Sequence, residues 1–129
     1  MAIDAQILTV QDGEVNVTLQ IIGKSDGQAG QEVGVVKVDV SELTPPCATV
    51  KIQELTYDVD GGTITMLWDD VTPVAFAYLK GMDTLDYCRV GGLNNLADPN
   101  SRSGDLLLST ELEAGGTYTL LLKMKKKFR

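Results

Sequence analysis

The chain of 129 residues contains no histidine. That removes the commonest general base near neutral pH and the commonest nitrogen ligand of zinc. No Ser–His or Cys–His couple and no HExxH metal motif can form. Cysteine is scarce as well. Cys47 and Cys88 are too few for a disulfide framework and wrongly spaced for a zinc site, so they read as buried free thiols. No P-loop or dinucleotide glycine fingerprint is present: Gly91-Gly92 leads into Leu93-Asn94-Asn95, not into a helix that carries a lysine. No run approaches the roughly 20 apolar residues of a membrane helix. The opening MAIDAQILTV lacks the basic and apolar regions of a signal peptide, which predicts a cytoplasmic start.

Aromatic residues make up only 5%. Trp68, Tyr57 and Tyr118 fall on the apolar phases of their segments and are expected in the core rather than on a sugar-binding platform. Tyr87, beside a long loop, is the one ring expected at a surface site. The acid pairs Asp69-Asp70 and Asp83/Asp86 fall in predicted loops, where solvated carboxylates are ordinary, so glycosidase chemistry is not expected of them. Asp58-Val59-Asp60-Gly61 opens like a calcium loop, with Asp69 at the twelfth position. Thr63 stands where that loop needs glycine, and the twelfth residue is Asp rather than Glu. No metal or other cofactor is expected.

What the chain has in quantity is acid. The formal net charge is −7, and every Asp and Glu lies at or before Glu113. The last seven residues, KMKKKFR, carry five bases and no acid, so the rest of the chain stands near −12. An acidic body argues against nucleic-acid binding. The basic end, 123–129, reads either as a dock for an acidic partner or as a loosely ordered solubilising tail.

Strand-like alternation runs throughout. Val15, Val17, Leu19 and Ile21 alternate with polar residues after an Asp12-Gly13 turn, and residues 5–11 precede them as a first strand. Residues 32–40 form another strand with a phase slip at Gly34 to Val36, a sign of a β-bulge. A second slip falls at Glu54. Thr44-Pro45-Pro46 predicts a crossing between sheets. The segments 50–59 and 63–68 flank Asp60-Gly61-Gly62, which predicts a tight hairpin turn. Strands are further expected at 74–79, 85–90 and 105–110, and at a last row of Tyr118, Leu120, Leu122 and Met124. With eight or nine short strands and no amphipathic helix, the expected fold is a single all-β domain, 1–129. It would be an antiparallel β-sandwich, jelly-roll-like in one version, with a closed barrel as the alternative.

Residues from about 50 onward carry Trp68-Asp69 with Thr72-Pro73, then Thr84-Leu85-Asp86, Gly91-Gly92-Leu93, the run Gly104 to Thr110, and Gly116-Thr117-Tyr118-Thr119 before a Leu/Lys strand. In that order this region resembles the small β-sheet virion proteins of tailed bacteriophages, marine and cyanobacterial ones included. The resemblance implies a non-enzymatic structural role in the virion, assembled in the host cytoplasm: a capsid decoration or cement protein that binds the major capsid protein. It also implies a small homo-oligomer, dimer or trimer, with no membrane or nucleic-acid partner. A tail or neck component and a carbohydrate- or host-surface-binding module are the alternatives. Candidate partner contacts lie in a short N-terminal arm and, residue by residue, in three further places. They are Lys24, Asp26 and Gln28 in the glycine-rich loop 23–31; Tyr87, Asn94, Asn95 and Arg102 around the loop 91–104; and Lys125, Lys126, Lys127 and Arg129 in the basic tail.

Overall fold

A computed structural model describes residues 3–25, 30–97, 100 and 103–128. The strands are β1 (Ile3–Asp12), β2 (Asn16–Ser25), β3 (Gly30–Val38), β4 (Thr49–Trp68), β5 (Val74–Asp86) and β6 (Leu106–Lys127). They form one antiparallel sheet in the order β1-β2-β6-β4-β5, with β3 paired to β6. The expected antiparallel all-β architecture is therefore present, and the sheet is open rather than closed into a barrel.

The predicted hairpin at Asp60-Gly61-Gly62 is absent. β4 runs straight through it for 20 residues, and neither arm pairs with the other. Both arms stay bonded to β6: Asp60 lies opposite Thr117 and Gly62 opposite Leu112, so Glu113 to Gly116 stand across from Gly61 alone. β5 bends at the same height, where Val59 faces Gly81. Gly61, Gly81 and Gly115 all have positive φ, which lets three neighbouring strands turn one corner together. At Gly62 the reason for glycine is space: a side chain would run into the Glu111 carbonyl. Three neighbouring pairs of predicted segments thus continue as single strands. One correction follows at the end of β5, which stops at Asp86; Cys88–Val90 is a single 3-10 turn rather than strand.

The corner folds the sheet into two leaves. The first contains β1, β2 and the arms of β6, β4 and β5 that include Leu122, Leu55 and Leu85. The second contains β3 and the arms that include Leu108, Met66 and Leu79. Alternation places Val17, Leu19 and Ile21 of β2, Tyr118, Leu120, Leu122 and Met124 of β6, and Val50 and Ile52 of β4 on the inner face of the first leaf. Ile64, Met66, Trp68, Leu106 and Leu108 face them from the second, and all join one buried cluster. Burying such a side chain contributes about 1.5–3 kcal/mol. Trp68 is wholly buried and stacks on Phe76 at 4.8 Å between ring centres.

Both predicted phase slips are register shifts, between Ile52 and Glu54 in β4 and between Glu32 and Val35 in β3. The segment 39–48, with its two prolines, carries the chain from β3 in the second leaf to the start of β4 in the first.

Candidate docking surface

The end of β6 is not a loose tail. β6 remains paired through Lys127, to β4 on one side and to β2 as far as Lys125 on the other. Alternation continues through the lysines. Lys126 follows Leu122 and Met124 on the inner row, and its side chain has no solvent exposure. Its ammonium sits 2.7 Å from a carboxylate oxygen of Asp12. Burial alone would raise the Asp12 carboxyl, but Lys126 and the Thr44 amide together hold it below its ordinary value. Lys126 is thus a structural ion-pair residue, not the partner contact expected of it.

The outer row of the same arm is different in kind. Lys123 and Lys125 are exposed. Lys125 lies directly opposite Lys51 on β4, a like-charge cross-strand pair. Such a pair destabilises an isolated sheet by a few tenths of a kcal/mol or more. None of these three lysines makes an ion pair among the described residues, where the pairs present are Lys37–Glu32 and Lys126–Asp12. Glu54 is the nearest acid by register, opposite Lys123. Lys127 reaches Asn94 at 3.3 Å. Lys51, half-buried under the Gly92 backbone, carries no distinguishing signal in the sequence. Only the register that sets it against Lys125 reveals its place.

The loop after β5 is tied to this face. Ile52 and Leu93 exchange two backbone hydrogen bonds of 3.0 and 2.8 Å, so the chain at Leu93 continues the sheet beside β4 where β5 has ended. Asn95 is buried. Its amide donates to Thr49 Oγ1 at 3.0 Å and its carbonyl oxygen accepts from the Ala97 amide at 2.8 Å. That makes Asn95 a fastener of the loop, contrary to the expected contact role. Tyr87 is half-buried, with part of its surface packed against the core. Asn94 and Lys24 are exposed as expected. Lys24 lies at the corner end of β2, away from the Lys51–Lys125 pair, beside a shallow depression of about 310 Å³ lined by Gln6, Ile22, Thr117 and Thr119. Asp26, Gln28, Arg102 and Arg129 lie outside the described residues.

The remaining polar groups are structural. Tyr118 donates to Glu32 at 3.0 Å, and the same carboxylate pairs with Lys37 at 2.7 Å, all three nearly buried. Burial, then the Glu32 charge, raises the Tyr118 phenol well above its usual value. Asp105 accepts from the Val40 amide; burial and the Asp39 and Asp69 carboxylates raise it. Cys47 is half-buried and Cys88 exposed, so only the first approaches the expected buried thiol. Among the described residues no group of three or more Cys, Asp or Glu is placed to hold a metal ion. No protein-family model, curated protein or solved structure matches the chain.

Proposed function

We propose that this chain is a non-enzymatic structural protein of a virus particle, a decoration or cement-like subunit that seats the outer face of its first leaf on an acidic surface of the capsid shell. The observation that carries the reading is the Lys51–Lys125 pair, flanked by Lys123, on one face of a chain whose net charge is −7. Like charges held opposite each other on a paired sheet are a local destabilisation that an opposing row of carboxylates removes. The face is carried by three hydrogen-bonded strands and a fastened loop, so little ordering is needed on docking. Repetition over a symmetric shell turns a modest contact into firm attachment. The resemblance of residues from about 50 onward to small phage virion proteins supports the same reading.

The test is rebinding. Purified protein is added to capsids stripped of it, and occupancy and shell melting temperature are measured at low and high salt. Rebinding that raises the shell's melting temperature and weakens with salt is expected, since exposed charges are screened over about 10 Å at 0.1 M. Lys125→Glu separates docking from folding. It should weaken rebinding about tenfold or more while leaving the free protein's own stability unchanged or slightly raised, because it replaces a like-charge pair with an opposite one. Absence of rebinding, or rebinding indifferent to both salt and Lys125→Glu, contradicts the proposal.

A further inference from the structure

The two leaves do not close on each other along every side. β1 is the outermost strand of the first leaf and β3 that of the second, and the two approach each other. Ile7 pairs with the fully buried Ile21, and Val35 with the fully buried Leu108, so both point into the core row. Yet Ile7 remains 45% and Val35 38% exposed. The hydrophobic core is open along this side. Leu8 and Val10 of β1 and Val33 and Val36 of β3 are exposed as well, Leu8 on the outer face of its strand.

The three edge strands are guarded to different degrees. β5 carries Lys80, Asp83 and Asp86 and breaks at Gly81. β3 carries Glu32 and Lys37 and has two register shifts. β1 has no charged residue between Asp4 and Asp12, and its one register shift falls near its end, between Thr9 and Gln11. An uncharged, apolar edge with free backbone donors and acceptors is a template for another strand.

Charge selects the occupant. Two copies of a chain at −7 repel each other over most of their surfaces, and this edge is where they meet without opposing charges. Antiparallel pairing of an edge with itself about a two-fold axis is self-complementary. With the axis at Ile7, Ala5 falls opposite Thr9 and Gln6 opposite Leu8, and position 4 falls opposite Val10 rather than an aspartate. We infer that a second copy of this chain pairs its β1 with this one, continuing the first leaf across a two-fold axis that sets the two Ile7 side chains side by side. This inference does not rest on the particle reading.

Sedimentation across roughly 1 to 200 µM tests it. The wild-type chain should move from monomer to dimer within that range. Leu8→Lys, at an exposed outer-face position, should weaken the dimer about tenfold or more without lowering the monomer's melting temperature. Tyr78→Lys, on the β5 edge and 80% exposed, should leave it unchanged. Amide exchange should slow at β1 as concentration rises. A wild-type chain that stays monomeric throughout overturns the inference, and would leave the edge to a strand from a different protein. A dimer insensitive to Leu8→Lys, or broken by Tyr78→Lys, overturns it as well.

Discussion

Replacing Asp12 with asparagine leaves the Lys126 ammonium enclosed without its counter-charge. The Lys126 side chain has no exposure, while Asp12 keeps 18%. Removing one partner of a fully buried pair costs about 3–5 kcal/mol, and the partly wet carboxylate places this pair near the lower figure, about 3 kcal/mol. For a domain of this size that lowers the melting temperature by about 10 °C. Asparagine still offers an oxygen to the Thr44 amide, which Asp12 now holds at 2.9 Å, so the loss reports on charge. Lys126→Met should cost less, since the carboxylate left behind reaches water. The double variant should recover to within about 1 kcal/mol of wild type, because a buried pair and an apolar replacement are often of similar stability. The pH dependence has a definite sign. The folded Asp12 carboxyl titrates below its ordinary value. Its contribution is therefore complete above about pH 5 and is lost progressively as pH falls through the lowered value. The gap between wild type and Asp12→Asn should narrow in acid. Thermal melts of the three variants and wild type at several pH values decide the matter. An Asp12→Asn chain within about 0.5 kcal/mol of wild type at neutral pH, or no coupling in the double variant, would refute the buried latch.

Two further outcomes follow from the packing. Gly62→Ala places a methyl group against the Glu111 carbonyl at the corner of β4 and should destabilise by roughly 2–4 kcal/mol in a denaturant melt, whereas at a two-residue hairpin turn it would act only on the turn. Asn95→Ala removes hydrogen bonds to Thr49 and from Ala97; about 1–3 kcal/mol is expected, with faster amide exchange at Leu93 and Ala97 but not at Leu120.

The strands were legible because their side chains alternate, and both bulges were legible because the alternation slips. The corner was not. Asp60-Gly61-Gly62 has the local chemistry of a tight turn and of a strand bend alike. What decides between them is that Gly81 and Gly115-Gly116 fall at the same height in the neighbouring strands, a fact of register that no local window contains. The basic end contained a readable signal: Lys126 continues the row of Tyr118, Leu120, Leu122 and Met124, and that phase already places it inside. Composition alone grouped it with its exposed neighbours. Asn95 gives no such sign, since an Asn in a polar loop looks the same whether it fastens the loop or faces solvent. Lys51 was hidden for the opposite reason: it is an ordinary outward strand residue until pairing sets it against Lys125.

The most direct measurement for the proposed role is the copy number and position of this chain in purified particles, by quantitative mass spectrometry and cryo-electron microscopy. Hundreds of copies on the outer shell are expected, with Lys51, Lys123 and Lys125 turned toward capsid carboxylates. About six or twelve copies would move it to the tail or neck, and absence from the purified particle would overturn the virion role outright.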